Sequence, residues 1–183
     1  MNKYILAGVL LSTSPFALAN NYVEITTNLG KIEVEIFSKQ APISSKNFIQ
    51  YVKSNFYQGT TFHRVIPGFM IQGGGFDAQM QAKTAGQPII NESYNGLTNT
   101  RGTLAMARTN DPNSANSQFF INLEDNPALN KNPYDTGYAV FGKVTQGMDI
   151  VDKISHVATA SQGRYQNVPV TPVIITKMTV KNK

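Results

Sequence analysis

The stretch Lys31-Ile32-Glu33-Val34-Glu35-Ile36-Phe37 alternates charged residues with branched apolar ones. Such an alternation has the period of two that is typical of a β-strand with one buried face. The segment from Tyr22 to Thr27 alternates more loosely, and Asn28-Leu29-Gly30 supplies turn residues between the two. Two alternating segments joined by a short turn predict a β-hairpin over residues 22–37.

Short segments with a strand-like pattern continue along the rest of the chain. Six more strand candidates are Thr61 to Val65, Phe69 to Gly73, Thr103 to Ala107, Gln118 to Asn122, Tyr138 to Val144 and Val173 to Val180. With the hairpin they make about eight short strands, separated by turn-rich segments and without regular alternation of strands and helices. This pattern predicts a mainly β fold in which the strands close into a barrel.

Two other segments have apolar residues at helical spacing. The stripes consist of Phe48, Ile49 and Val52 after Pro42, and of Met148, Val151 and Ile154 after Gly147. Proline is well suited to a first helical position, because its missing N–H would have no partner there. Each stripe is one-sided, so we expect both helices to cover the open ends of the barrel. The polar stretches 76–100, 124–137 and 157–172 are predicted as loops.

The composition indicates one globular domain held together by packing alone. Of 183 residues, 41% are hydrophobic and 15% charged, and none is cysteine, which rules out disulfides and thiolate catalysis. His63 and His156 are the only histidines and have no carboxylate cluster at ligand spacing, so neither a metal site nor a cofactor is expected. The formal charge is +5, but the basic residues are scattered singly, which argues against nucleic-acid binding.

Residues 1–19 have the pattern of a secretory signal peptide. Lys3 gives a positive start, Tyr4 to Leu11 is apolar, and Ala17-Leu18-Ala19 is a small-x-small cleavage sequence. We therefore expect cleavage after Ala19 and an exported mature domain over residues 20–183. The apolar run is too short to span a bilayer, so no stable membrane anchor is expected. The alternatives are an uncleaved anchor and a disordered tail.

Three short motifs have plainer structural interpretations. Gly73-Gly74-Gly75-Phe76-Asp77-Ala78 fits a dinucleotide-loop pattern, but no βαβ unit surrounds it, so a turn with positive φ or a close backbone approach is favoured. Asn91-Glu92-Ser93 is a glycosylation sequon, for which a structural role is also favoured. Ser114 and Ser117 have no G-x-S-x-G elbow and only a distant histidine, so a hydrolase is not expected.

The run Phe62-His63-Arg64-Val65-Ile66-Pro67-Gly68-Phe69-Met70-Ile71-Gln72-Gly73-Gly74 sets one arginine and one glutamine among aromatic and thioether side chains. Nothing in the run can act as a nucleophile. A permanently charged donor beside an apolar surface suits a reaction in which no covalent bond breaks but the electrons of an amide are rearranged.

Two later motifs accompany this run in the same order as in a known family. They are Leu104-Ala105-Met106-Ala107-Arg108 with Asn116-Ser117-Gln118-Phe119-Phe120-Ile121-Asn122, and Tyr138-Ala139-Val140-Phe141-Gly142-Lys143-Val144. From about Tyr22 to Val180 the chain resembles the cyclophilin-type peptidyl-prolyl cis-trans isomerases. The resemblance implies a closed eight-stranded antiparallel β-barrel capped by two α-helices. It also implies an enzyme that accelerates rotation about X-Pro bonds.

The resemblance assigns roles to polar and groove residues. Arg64 carries the catalytic hydrogen bond to the proline nitrogen, and Gln72 is the candidate for the network around the substrate oxygen. Ala107, Arg108 and Gln118 resemble the extended peptide-binding groove, in which the backbone at Arg108 hydrogen-bonds the substrate chain.

The resemblance also implies an apolar socket for the proline ring. The residues that match it are Phe69, Met70, Phe120 and Leu129, with Tyr138 at the position of the family's pocket histidine. Because Phe119 and Phe120 must face opposite sides of a strand, only the resemblance selects Phe120 for the socket. Ala128 stands where eukaryotic members commonly have a tryptophan, so we expect weak cyclosporin binding at most.

The signal-like segment, the Met-Ala-Arg sequence and Tyr138 are similar to the exported bacterial branch of the family. This implies a periplasmic enzyme whose partners are unfolded or partly folded exported polypeptides with X-Pro bonds. A monomer is expected, because no heptad pattern or long exposed apolar stretch is present. The main alternative is a proline-recognising binding module or chaperone with negligible turnover, and a purely structural barrel is the third possibility.

Overall fold

Eight strands form one antiparallel sheet in the computed structural model, which describes residues 21–182. In chain order the strands of the protein are β1 (Asn21–Thr27), β2 (Gly30–Ile36), β3 (Arg64–Ile66), β4 (Met70–Gly73), β5 (Thr103–Met106), β6 (Phe119–Asn122), β7 (Val140–Gln146), β8 (Thr159–Gln162), β9 (Tyr165–Pro169) and β10 (Ile175–Asn182). The order in the sheet is β10-β1-β2-β7-β5-β6-β4-β3, and β8 and β9 form a separate pair. The eight strands of this sheet are those predicted from the alternation.

The two edges of the sheet are joined where the segment before β3 meets the start of β10 and the residues before it. The backbone N–H of Phe62 donates to the carbonyl of Val173 at 2.9 Å, and the N–H of Ile175 donates to that of Thr60 at 2.8 Å. These bonds continue the ladder from one edge to the other, so the sheet closes into a barrel without an open edge at this point. The mainly β barrel fold is therefore confirmed.

The first hairpin has the register that the alternation predicts. Thr27 pairs directly with Gly30, so the turn residues are Asn28 and Leu29. The inward-facing residues of both strands are fully buried; they are Val23, Ile25, Ile32 and Val34. Burial of branched apolar side chains on one face is the main force that holds such a hairpin to the rest of the sheet.

Two helices, α1 (Pro42–Lys53) and α2 (Met148–Ser155), cover the barrel as expected. Phe48 of α1 is fully buried, and its ring centroid lies 5.3 Å from that of Phe119 and 5.1 Å from that of Phe141. Val151 and Ile154 of α2 are fully buried as well. The apolar stripes recognised in the sequence are thus the faces that pack on the barrel.

A distant carboxylate caps the N-terminus of α1. Ala41 occupies the N-cap position and offers no side-chain hydrogen bond. Instead Glu92, which is 3% exposed, accepts bonds from the backbone N–H of Ile43 at 3.0 Å and of Ser44 at 2.7 Å. A carboxylate at this end satisfies free N–H groups and interacts favourably with the helix dipole. The structural interpretation of Asn91-Glu92-Ser93 is supported by these contacts.

We predict that Glu92→Gln lowers the free energy of unfolding by about 2 kcal/mol, because the charge-assisted cap is lost. For a chain of this size that corresponds to a melting temperature lower by about 4–8 °C. Thermal unfolding followed by circular dichroism measures the change. The matched control is Glu124→Gln at an exposed position, which should shift stability by less than about 0.5 kcal/mol. Equal melting temperatures for Glu92→Gln and the unmodified chain would contradict the capping role.

One loop prediction is wrong. Residues 157–172 were expected to form a loop, but they contain the β8–β9 hairpin. Most of β8 is exposed and carries small or polar residues, so no alternation of buried and exposed side chains marks it in the sequence. The pairing is maintained by β9, where Val168 and Pro169 are buried. The loops predicted at 76–100 and 124–137 contain no strand or α-helix, apart from a 3₁₀ turn at Pro127–Leu129.

Within residues 21–182, no helix has the length and apolar character needed to cross a membrane. The predicted signal segment, residues 1–19, lies outside the described residues. The division of the chain after Ala19 therefore stays a prediction.

Candidate active site

A row of side chains on the outer face of the barrel contains the predicted catalytic pair. In the sheet register Arg64 lies opposite Gln72, Gln72 opposite Phe120, and Phe120 opposite Ala105. The row therefore crosses β3, β4, β6 and β5 in order. Residues opposite one another in an antiparallel sheet have Cβ atoms about 5 Å apart, so these four side chains are neighbours.

The alternation in β6 separates the site from the core. Phe119 is fully buried inside the barrel, where its ring contacts Phe62 at a centroid distance of 5.9 Å. Phe120 faces outward, and its ring contacts that of Tyr138 edge-on at 5.6 Å. The structure thus places Phe120 on the side of Arg64, as the resemblance implied and the strand pattern alone could not decide.

A chain of hydrogen bonds orients the arginine. Arg64 Nη1 donates to Gln72 Oε1 at 3.4 Å, and Gln72 Nε2 donates to Gln118 Oε1 at 3.0 Å. Gln118 lies directly over Gly75, where a Cβ would come within 2.5 Å of its side-chain carbon Cδ. The glycine run is thus a turn, with Gly74 at φ +85° and Gly75 making room for the glutamine.

The arginine faces a cleft of about 590 Å³ on the barrel surface. Its lining consists of His63, Arg64, Gln72, Phe76, Ala107, Arg108, Thr109, Ser114, Asn116, Gln118, Arg164, Tyr165, Gln166 and Asn167. Five residues that the sequence predicted for catalysis and peptide binding are among them: Arg64, Gln72, Ala107, Arg108 and Gln118. A cleft of this volume is within the usual range for small-molecule and peptide-sized ligands.

The residues predicted for the proline socket lie beside this cleft in a separate apolar group, here named the outer cluster. Met70, Ala105, Phe120 and Val140 are buried in it, and Phe69, Ala107, Leu129 and Tyr138 pack against them half-exposed. Met70 is only 2% and Phe120 4% exposed, so these two form the floor of the outer cluster. The half-buried members form its rim. Ala107 belongs to both the outer cluster and the cleft lining, so the two surfaces adjoin.

The side chain of Arg108 lines the cleft and also contacts the outer cluster. Its guanidinium lies 4.4 Å from the centre of the Tyr138 ring and makes an ion pair with Asp135 at 3.0 Å. Its Nε also donates to the carbonyl of Gly137 at 3.1 Å. These contacts attach loop 124–137 to the site and position Tyr138 against Phe120.

Asparagine side chains fix the other part of the same loop. Asn99 Nδ2 donates to the carbonyl of Leu129 at 3.1 Å, and Asn126 Nδ2 donates to the carbonyl of Phe69 at 2.9 Å. Asn122, which is fully buried, links the two by bonds to Asn99 at 3.1 Å and from Asn126 at 2.8 Å. This network was not predicted from the sequence, because isolated asparagines, such as Asn99 and Asn126 in loops and Asn122 at the end of β6, carry no periodic signal. Its hydrogen bonds to the backbone carbonyls of Leu129 and Phe69 hold these two rim residues in position.

His63 is buried under the cleft without taking part in the hydrogen-bond chain. It is 6% exposed, its Nδ1 has no hydrogen-bond partner, and its ring packs 4.6 Å from that of Phe76. Burial lowers its pKa to about 4, the positive charge of Arg64 acts in the same direction, and a backbone contact with Thr61 partly offsets them. His63 is therefore neutral near pH 7. Among the described residues, no group of histidine and acidic side chains could hold a metal ion.

We predict that His63 makes the fold less stable in mild acid. Its pKa is lowered from 6.5 to about 4 on folding, so the unfolded chain binds more protons between these pH values. The free energy of unfolding should therefore fall as the pH drops from about 6.5 to about 4, by up to about 3 kcal/mol from this residue. Denaturant unfolding at several pH values measures it.

Variants at the two histidines show whether His63 causes the pH dependence of the free energy of unfolding. In His63→Gln the decrease between pH 6.5 and 4 should be smaller, whereas the control His156→Gln, at an exposed position, should keep the decrease of the unmodified chain. The same pH dependence in His63→Gln as in the unmodified chain would show that another group is responsible.

Several cleft residues were not predicted from the sequence. They are His63, Phe76, Thr109, Ser114, Asn116, Arg164, Tyr165, Gln166 and Asn167. The last four belong to the β8–β9 hairpin or its turn, which was itself predicted as a loop. A turn glycine, Gly163, followed by a charged and an aromatic residue was the only available signal. Ala128 lies at an exposed position of the 3₁₀ turn, next to the rim residue Leu129.

Comparison with known proteins identifies the same family as the sequence motifs. The family described as "Cyclophilin type peptidyl-prolyl cis-trans isomerase/CLD" matches residues 22–180. A peptidyl-prolyl cis-trans isomerase of Acinetobacter baylyi is 60% identical over 178 residues, which cover 97% of this chain and 94% of that protein. Peptidyl-prolyl cis-trans isomerase A of Dickeya dadantii is 52% identical and covers 96% of each chain.

A solved structure of a cyclophilin type peptidyl-prolyl cis-trans isomerase from Cryptosporidium parvum superposes with a TM-score of 0.75 at 30% identity, and the match covers 90% of this chain and 99% of that one. A barrel with two covering helices is thus shared with this solved structure. The chain belongs to the cyclophilin-type peptidyl-prolyl cis-trans isomerases. The enzyme class expected from its motifs is confirmed.

Proposed function

We propose that Arg64 is the catalytic residue of this isomerase and that the outer cluster receives the proline ring. The observation that carries the proposal is the bond chain from Gln118 through Gln72 to Arg64, which holds a charged donor at the border of the outer cluster. No nucleophile or general base is needed, because the reaction is a rotation about a bond that stays intact.

The rotation has a barrier of about 18–20 kcal/mol, since the planar X-Pro amide is stabilised by resonance. In the twisted state the proline nitrogen becomes pyramidal and gains a lone pair. A guanidinium N–H can then donate to that nitrogen, and this bond is stronger in the transition state than in the planar ground state. Arg64 suits this role because its charge is permanent and its donors are fixed in a planar fork.

Arg64 alone cannot account for efficient catalysis. An acceleration of about 10⁵ requires a barrier lower by about 7 kcal/mol, whereas one hydrogen bond to a charged group contributes about 1.5–3 kcal/mol. The remainder is assigned to positioning. Gln72 keeps one Nε2 hydrogen for Gln118 and has a second available for the substrate carbonyl.

The outer cluster and the groove complete the binding site. The floor of Met70 and Phe120, with the rim of Phe69, Leu129 and Tyr138, offers the proline ring an apolar surface from which water is displaced. Ala107 and the Arg108 backbone lie between this surface and the cleft, where an extended chain would run. With alanine at position 128, next to the rim residue Leu129, no indole is available for cyclosporin, which supports weak binding at most.

The substrates are proposed to be unfolded or partly folded exported polypeptides with X-Pro bonds, met in the periplasm by a monomeric enzyme. Support comes from the signal pattern of residues 1–19 and its small-x-small sequence ending at Ala19. A shallow site that recognises a backbone and one proline can serve many such chains.

A protease-coupled isomerisation assay on residues 20–183 tests the proposal against the alternative of a proline-binding module or chaperone. The enzyme should accelerate cis-trans exchange of a tetrapeptide with an Ala-Pro bond at catalytic concentrations. Saturable binding of the same peptide with no acceleration would favour the binding module.

The isomerisation rate should be nearly independent of pH between about pH 6 and 8, because His63 is neutral over this range.

A further inference from the structure

The cleft beside Arg64 is lined by three arginines and by no acidic residue. The three are Arg64, Arg108 and Arg164, and the other lining residues are neutral at pH 7. Arg108 is neutralised by its ion pair with Asp135 at 3.0 Å. Arg64 and Arg164 form no ion pair with any residue of the described range 21–182. Two uncompensated positive charges therefore face the same cleft.

Arg164 is held in place by aromatic contacts. Its Nη2 donates to the Tyr165 hydroxyl at 2.9 Å, and its guanidinium carbon lies 5.1 Å from the centre of the Tyr165 ring. Tyr165 packs edge-on against Phe76 at 5.1 Å. Phe76 packs in turn on the buried His63, the residue before Arg64. This series of rings connects the tip of the β8–β9 hairpin to the catalytic strand, so the charge is positioned before any ligand arrives.

Arg164 is exposed to solvent, but unlike an isolated surface charge it lines the cleft beside the outer cluster. The cleft adjoins the outer cluster at Ala107, so a peptide whose proline lies on that cluster would continue into the cleft. The neutral lining contains no carboxylate to compete with a ligand for Arg164. A guanidinium provides planar paired donors that match a carboxylate, and concave walls strengthen the field of two charges of one sign.

We infer that the cleft selects substrates with an aspartate or glutamate side chain within about three residues of the isomerised proline, and that Arg164 is the residue that recognises it. The inference rests on the proposed function and deepens it, since it names a substrate class for the same site. Arg164 acts on specificity. The acidic side chain is bound at the hairpin tip while Arg64 faces the proline nitrogen.

Tetrapeptides and pentapeptides with one Ala-Pro bond, an acetylated N-terminus and an amidated C-terminus test the inference. Glutamate, glutamine or lysine is placed in turn at each position within three residues of the proline. Exchange measured by NMR gives kcat/KM without a coupling protease, whose own preference could bias the result. At low ionic strength, the glutamate peptide should have a kcat/KM about three- to fivefold higher than its glutamine counterpart at one or more positions, and the lysine peptide should have the lowest value. At 0.3 M salt the ratio should fall below about twofold.

Variants at the hairpin tip assign the effect to Arg164. Arg164→Gln should bring the glutamate-to-glutamine ratio close to one, and Arg164→Glu should invert the preference towards lysine. Lys53→Gln, which removes one positive charge at the end of α1, outside the cleft lining, is the matched control and should keep the original ratio.

Two results would overturn the inference while leaving the isomerase function intact. One is equal kcat/KM for glutamate and glutamine peptides at every position in an enzyme that isomerises them all. The other is a preference that survives unchanged in Arg164→Gln. A failure to accelerate exchange in any peptide would instead overturn the proposed function, and with it the inference.

Discussion

Arg64→Ala is expected to lower kcat/KM for a short proline peptide by at least about 100-fold while the fold is retained. In the proposed mechanism the guanidinium donates to the proline nitrogen as it becomes pyramidal, and its loss removes an interaction made mainly in the transition state. Arg64 is exposed on β3, so its removal should not disturb the barrel. The isomerisation assay and a circular dichroism spectrum are the two measurements.

The conservative variant adds a sharper criterion. Arg64→Lys should recover only part of the activity, because a lysine is a point charge on a flexible stem. It lacks the planar guanidinium that donates a hydrogen bond to Gln72 Oε1. Lys53→Ala serves as the control for a lost surface charge and should keep normal turnover. If Arg64→Ala isomerised the peptide at the normal rate with an unchanged spectrum, the assignment of Arg64 would be wrong.

Ala128→Trp is expected to strengthen cyclosporin binding by about ten- to a hundredfold, the equivalent of about 1.5–3 kcal/mol. If Ala128 occupies the tryptophan position of the family, the new side chain adds an indole face and one N–H donor at the rim of the outer cluster. Turnover of a short peptide should change much less, since Arg64 and Gln72 are untouched. Fluorescence titration with cyclosporin measures the affinity.

A second tryptophan variant tests the alignment of the loop. Tyr134 lies in the same loop but is 99% exposed, so Tyr134→Trp supplies an indole away from the rim. It should leave the affinity for cyclosporin unchanged. An Ala128→Trp variant that folds normally and binds no more tightly than Tyr134→Trp would mean that position 128 points away from the site.

The parts of the structure that follow local rules could be predicted from the sequence. Alternation in β1 and β2 and the stripe of Phe48 and Val52 in α1 reflect burial of one face, which repeats with the period of the element. Arg64 and Gln72 could be predicted as candidates because their motif is specific and continuous in the chain. Both catalytic candidates lie within nine residues of each other, on paired strands.

The features that depend on distant contacts could not be predicted. Glu92 caps a helix from 49 residues away along the chain, and nothing at Ala41 indicates that a partner is missing. The β8–β9 hairpin has no alternation, because few of its side chains reach the core. As a result, one side of the cleft could be predicted from the sequence, and the side that carries Arg164 could not.

The alternation of Phe119 and Phe120 in β6 has a consequence for how this enzyme can change in evolution. One ring fills the barrel and the next belongs to the outer cluster, the proposed proline socket, so under this proposal the same few residues encode both stability and activity. Substitutions can alter either ring separately. Deletion of a single residue within β6, however, would exchange the two faces and lose both properties at once. Natural length variation among relatives should therefore be concentrated in the loops. The four-residue strand β6 should tolerate substitutions but neither insertions nor deletions.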